Sequence, residues 1–345
     1  MVVGSSPLKK STNSASQLLS LQNIVIAAVV WGVLSLLFFL LFSVPLPGED
    51  LPGWYSVGTY FLEEIAFLFA TLLCFRNWRS SQIVSGRNVW FLLGAGMLSY
   101  FIGNLFLMYW ELVLGKSPEV SPGDFFFLLT YVFLGSGMFL AVASRRLNLM
   151  LGQYGIIAGI ALLGVLIAYF TAIAVPEELD MGVVEPNAIE QVQSPDAAAT
   201  NEALPPDAAT APAVEPTPAE DTAPEAEANV PGWAQAVENL LAPLAGIVGW
   251  LYILGDLVLL VMATALLLAF WGGRFSLSWR FIAAAAFCFY IADIWFNYAT
   301  SYIEDYETGA LPEVFWIFSG ILVSVGAALE YDLSTRSRRN LRRRT

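Results

Sequence analysis

"IVIAAVVWGVLSLLFFLLFSV", residues 24–44, runs for 21 residues without a charged side chain. A helix rises about 1.5 Å per residue, so this stretch matches the roughly 30 Å hydrocarbon core of a bilayer. Seven more apolar runs follow, near 57–75, 89–111, 124–143, 155–175, 246–271, 281–300 and 312–330. Only 13% of the 345 residues are charged, against about 25% in a soluble domain. The expected fold is an all-α integral membrane protein with eight transmembrane helices. The first run is too long for the apolar region of a signal peptide. No small-x-small cleavage pattern follows it in "FSVPLPGED", so it is expected to stay as the first helix.

Absent residues exclude whole chemistries. The chain has no histidine, which removes bis-His haem, zinc-protease motifs and Ser-His-Asp catalysis in their usual forms. Its three lysines, Lys9, Lys10 and Lys116, lie outside the spans, so a retinal-type Schiff base is excluded. Cys74 and Cys288 fall in different spans near the cytoplasmic side, and two thiols alone make no metal site. No cofactor, no metal and no enzymatic activity are expected.

Charge orients the helices, because Lys and Arg accumulate in cytoplasmic loops. With the N-terminus inside, all thirteen arginines fall on the cytoplasmic side and only Lys116 falls opposite. This also supports the count of eight, since one missed span would scramble the alternation. Residues 177–227 carry thirteen Asp or Glu and no Lys or Arg. With net charge −13 overall, the rest of the chain sums to zero. This Ala-, Pro- and Glu-rich stretch has too few large apolar residues to offset chain entropy. The expected organisation is a cytoplasmic tail (1–19), a four-helix half (20–148) and a second four-helix half (150–334). An extracytoplasmic acidic disordered linker (177–242) interrupts the second half, and an Arg-rich cytoplasmic tail (335–345) ends the chain.

The two halves echo each other. "YFIGNLFLMYWELVLGKSPEVSPGDFFFLLTYVFLGSGM" from Tyr100 parallels "YIADIWFNYATSYIEDYETGALPEVFWIFSGILVSVGA" from Tyr290. Both pass from a span with Tyr and Asn or Asp, through an aromatic helix end, into a span opened by Pro122 or Pro312. "YFLEEIAFLF" from Tyr60 likewise parallels "YILGDLVLLV" from Tyr252. Four spans per half keep one orientation, which predicts two parallel four-helix repeats.

The repeat groups the polar residues inside the spans. Asp293 corresponds to Asn104, and Asp256 to Glu64. All four are expected in the outer half of the membrane. Asp293 shares a helix face with Tyr290 and Asn297, while Tyr60–Glu64 and Tyr252–Asp256 are spaced i, i+4. The candidate intramembrane site is therefore Glu64, Asn104, Asp256, Asp293, Asn297, Tyr60, Tyr252 and Tyr290. An ionised acid at mid-span costs about 2.5–3.5 kcal/mol on insertion scales. No cation lies in the spans, so Asp256 and Asp293 are expected to be neutral and hydrogen-bonded to Tyr or Asn of neighbouring helices. Helix-to-helix glue and a ligand, ion or proton site both fit these residues. An aspartyl-protease dyad does not, because Ile253 stands where that signature has a glycine.

"GNLFLMYWELVLGKSPEVSPGDFFFLLTYVFLGSGM" resembles an element of the multi-span membrane regions that precede diguanylate cyclase or phosphodiesterase domains in bacterial signalling proteins. Its marks are the aromatic span ending, the loop with Ser121, Pro122 and Asp124, and the late glycines. About 15 residues follow the last span, so an output domain is not expected on this chain. The resemblance implies a sensor-like or docking module that works through a separate partner. The functional expectation is a non-enzymatic membrane sensor-like or assembly/accessory module. The alternative is a small proton-coupled transporter using Glu64, Asp256 and Asp293. Membrane lipid and a protein partner, reached through the acidic linker or the cytoplasmic loops, are the expected partners, and nucleic acid is not. The expected location is a bacterial inner (plasma) membrane, with an internal photosynthetic membrane equally compatible.

Overall fold

A computed structural model describes residues 20–44, 51–116, 118–144, 151–172, 231–270, 276–303, 306 and 308–342. Among these residues there are nine α-helices and no strand. They are α1 (Leu21–Phe42), α2 (Gly53–Arg79), α3 (Arg87–Met108), α4 (Pro122–Ala143), α5 (Leu151–Ala172), α6 (Gly232–Leu241), α7 (Ala245–Ala269), α8 (Ser276–Tyr302) and α9 (Val314–Arg342). A π-helical turn, Tyr109–Val113, extends α3. Short 3-10 turns at Ala242–Leu244 and Leu311–Glu313, each holding a proline, join α6 to α7 and lead into α9. Eight helical segments are long and apolar enough to cross a membrane, with α6 and α7 forming one of them.

Six helices close a ring. In order of contact it runs α2, α3, α4, α7, α8, α9 and back to α2. Each sequential triple, α2–α4 and α7–α9, thus has its first helix against the last helix of the other. Outside the ring, α1 packs on α9, and α5 packs on α7 and α8. The ring has no lumen, because large side chains fill it. Phe67 stacks on Tyr100 at 3.9 Å, Tyr100 meets Phe289 at 5.4 Å, and Trp90 meets Trp279 at 5.7 Å. The outward faces carry bare apolar side chains such as Leu41, Phe61, Leu72, Phe139 and Leu162, as a lipid-facing surface requires.

The two ends of the ring differ. Arg76, Arg79, Arg87 and Arg280 lie at one end, beside the last turns of α9. There Asn77 Nδ2 donates to the Ala327 carbonyl at 2.9 Å, Ser278 Oγ donates to that of Gly326 at 2.7 Å, and the Arg76 guanidinium lies 4.2 Å over the Tyr331 ring. At the opposite end, α4 starts with a full capping box: the Asp124 carboxylate accepts from the Ser121 backbone N–H at 2.7 Å, and Ser121 Oγ accepts from the Gly123 N–H at 3.1 Å. That reciprocal pairing satisfies donors a helix start leaves free, and Pro122 costs no hydrogen bond there.

Two expected boundaries need correction. Composition extends the linker to 242, but Gly232–Leu241 is helix α6. Its Trp233, Ala234 and Val237 recur at helical spacing. Trp233 packs on Tyr109 and edge-on to Trp110, and Ala234 is fully buried. Glu238 then accepts from Trp110 Nε1 and from Lys116 Nζ, each at 3.2 Å. Residues 177–230 of that segment lie outside the described residues, as do the N-terminal tail and 343–345. The region 335–345 is not all tail, since α9 continues to Arg342.

Candidate functional site

The capped end of the ring gathers buried carboxyl groups held by phenols and an indole. At its centre, the Tyr131 hydroxyl of α4 lies 2.9 Å from Asp256 Oδ1 of α7 and 2.7 Å from Asp293 Oδ2 of α8. The two carboxyls are also within hydrogen-bonding reach of each other. Trp316 Nε1 of α9 donates to Asp293 Oδ1 at 2.6 Å. Gly255 makes this geometry possible. A Cβ there would sit 2.6 Å from the Tyr131 ring, so only glycine lets the phenol lie against α7. One turn toward the capped end, Tyr252 donates to Asp124 Oδ1 at 2.6 Å, tying α7 to the capping box of α4.

The other half of the ring repeats the chemistry with different partners. Tyr100 donates to Glu63 Oε1 at 2.5 Å, and Asn104 lies beside the same carboxyl. Tyr60 donates to Glu111 Oε2 at 2.6 Å, and Thr308 Oγ1 donates to Oε1 at 2.9 Å. Glu313 accepts from Tyr306 and, at 2.8 Å, from the Gly309 N–H. Gly309 has φ +125° and its carbonyl accepts from Tyr55 at 2.5 Å, so that turn needs glycine. Burial, then the Glu313 carboxyl, pushes the Tyr306 phenol well above its usual range. Among the described residues, Asp256, Asp293 and Glu63 have no Lys or Arg partner. Neutral donors stabilise them instead.

Of the residues singled out from the sequence, the structure brings Asp256, Asp293, Asn104, Tyr60 and Tyr252 into the cluster. The i, i+4 pairs do not form: Tyr60 reaches Glu111 instead of Glu64, and Tyr252 reaches Asp124 instead of Asp256. Glu64 stands apart from these bonds, with both its carboxyl oxygens buried without a partner among the described residues. The ring uses Glu63, one residue and about 100° away around the helix. Tyr290 is 8% exposed, and its hydroxyl has no partner among the described residues. Sequence reasoning misses Tyr131 and Trp316, which read as ordinary core aromatics, and Glu313, which reads as the first turn of the last span. The buried stripe Tyr60, Glu63, Phe67, Ala70 on α2 is the signal that selects Glu63.

Two cavities lie among the described residues, one of them against the cluster. A small one of about 20 Å³ lies between α5, α7 and α8, lined by Asp256, Tyr290, Asn297 and Gly164. A larger one of about 450 Å³ opens under α6 and is lined by apolar and aromatic side chains, including Ile102, Phe106, Tyr109, Trp110 and Trp233. Among the described residues, no group of three or more Cys, Asp or Glu has the geometry to hold a metal ion. Comparison of the chain with protein-family models, curated proteins and solved structures gives no match. Chemically, the cluster can hold protons, bind polar groups and lock helices together.

Proposed function

We propose that this protein is a membrane sensor-like or accessory module that acts through a partner protein, with a small apolar ligand as its input. One observation carries the reading. Helix α9 meets the cluster through Trp316 and Asp293, then runs unbroken to Arg342 in the arginine-rich stretch. At about 1.5 Å per residue, its 29 residues make a rod of roughly 43 Å. A shift of packing at the cluster is carried to the basic end by such a rod. The open apolar cavity of about 450 Å³ under α6 supports the ligand half of the proposal, since its aliphatic and aromatic lining suits an apolar ligand.

The proposed orientation puts the arginine end in the cytoplasm, where a partner would read the α9 terminus. We further propose that α2–α4 and α7–α9 are the cores of two parallel repeats; α1 and α5 have different neighbours. The transport alternative draws no support from the interior: below the cluster the ring is packed with Phe67, Met97, Leu259, Trp90 and Trp279. The bacterial plasma membrane is the proposed location.

The test is affinity purification from native membranes after mild crosslinking, for the intact chain and for a form lacking 177–227. A stoichiometric partner in the intact sample supports the reading, and its loss on deletion makes the acidic segment the docking element. Recovery of the intact protein alone overturns it.

A further inference from the structure

The Tyr131 contacts pose a counting problem. A phenol has one proton, yet its oxygen lies within hydrogen-bonding distance of two carboxyl oxygens. If both acids were ionised, only one contact could be a hydrogen bond, and the other would set lone pair against lone pair in a buried site. One additional proton makes both contacts bonds. Its location follows from the remaining donors. Asp293 has a second donor, Trp316, which favours it as the acceptor of the pair. Among the described residues Asp256 has no such donor beyond the Tyr131 contact, so the extra proton is assigned to it, donated to the Tyr131 oxygen or to the facing Asp293 oxygen.

A second, independent feature lies beside Asp256. The Tyr290 hydroxyl is buried, has no partner among the described residues and borders the 20 Å³ cavity. A cavity of about 10–15 Å³ or more takes one water if two to four polar groups line it. Here the polar lining is Asp256, Tyr290 and Asn297.

We propose that Asp256, Tyr131 and Asp293 form a proton-binding site holding one exchangeable proton, reached through a single water bound between Asp256, Tyr290 and Asn297. In the resting arrangement Asp256 O–H donates to Tyr131, and Tyr131 O–H donates to Asp293. Transfer breaks the Asp256 O–H and Tyr131 O–H bonds and forms Tyr131 O–H and Asp293 O–H, leaving Asp256 as the carboxylate. The total proton count is unchanged until the water delivers or removes one. The surrounding groups are Tyr131 on α4, Tyr252 on α7, Tyr290 on α8, Trp316 on α9, and Glu63 on α2 beyond Asp293. From α5 the cavity receives Gly164 and Ala168, neither titratable. The proposal is independent of any partner protein.

Infrared difference spectroscopy on the purified protein in lipid nanodiscs tests it. Wild type minus Asp256→Asn should contain one carboxylic-acid C=O band that shifts in D2O. Asp293→Asn should remove the same band. Its amide can donate to Tyr131, which then donates to Asp256 and leaves that acid ionised. Tyr290→Phe should keep the band and slow its exchange in D2O several-fold. If wild type minus Asp256→Asn shows only carboxylate bands, the proposal fails. If the bands follow sodium concentration at fixed pH and not pH at fixed sodium, the site binds a monovalent cation and the proposal fails. Each reading is made on folded protein, confirmed by a monodisperse elution profile, and none depends on recovering a partner.

Discussion

The ring closes twice between its triples, and the two seams are built differently. Where α9 meets α2, the backbones touch: a Cβ at Gly320 would stand 3.0 Å from the Ala66 carbonyl carbon. The hydrogen bond between the two helices has a main-chain acceptor, Asn77 to Ala327, and Tyr55 likewise reaches the Gly309 carbonyl in the turn before α9. Where α7 meets α4, the joint is made by side chains, with Tyr131 between two acids and Tyr252 on Asp124. A main-chain partner cannot change its hydrogen-bonding role. A phenol between two carboxyls can, by rotating one O–H bond. The first seam is therefore fixed and the second can take two states.

The largest effect should come from forcing the fixed seam open. Gly320→Leu meets immovable backbone, and we expect no monodisperse protein in size-exclusion chromatography. Gly255→Ala attacks the other seam but meets a ring that can swing away. It should cost about 1–3 kcal/mol, typical of overpacking, and leave a folded protein in which Tyr131 no longer bridges Asp256 and Asp293. Thermal unfolding in detergent separates the two outcomes, and equal damage would erase the distinction between seams.

A smaller contrast tests adjacent acids on one helix. Glu63→Leu orphans the Tyr100 hydroxyl and should destabilise by roughly 1–3 kcal/mol. Glu64→Leu removes a carboxyl without a partner and should be neutral or stabilising. Melting temperatures that fall equally for both would contradict the assignment of Glu63 to the ring. The smallest loss of stability is expected from removing one hydroxyl at the side-chain seam. Tyr252→Phe should cost about 1 kcal/mol or less, the usual worth of one interhelical bond in a membrane protein, because Asp124 keeps its capping role at Ser121.

Much of this architecture is legible in the sequence, for a physical reason. The bilayer fixes the length of each span, so the run at 24–44 announces a helix without any tertiary information. The short helix α6 is hidden because its ten residues sit beside an acidic, Pro-rich stretch whose composition dominates the reading. The acids stand out for the same reason as the spans: Asp256 and Asp293 interrupt apolar runs. Their partners do not. Tyr131 lies 125 residues from Asp256 and 162 from Asp293, and nothing local marks it among 13 tyrosines. The choice between Glu63 and Glu64 turns on helix rotation, which a single apolar residue on the wrong face can shift.

The bridging phenol has a consequence for membrane voltage. Moving one elementary charge fully across a membrane at 100 mV involves about 2.3 kcal/mol. A proton passing from Asp256 to Asp293 crosses two contacts, of 2.9 and 2.7 Å, within a hydrocarbon core of roughly 30 Å. The electric field can therefore do only a small fraction of that work on the transfer. The exchange of the proton between the two acids is nearly blind to the potential across the bilayer, and any voltage dependence of the site must come from loading the proton from water.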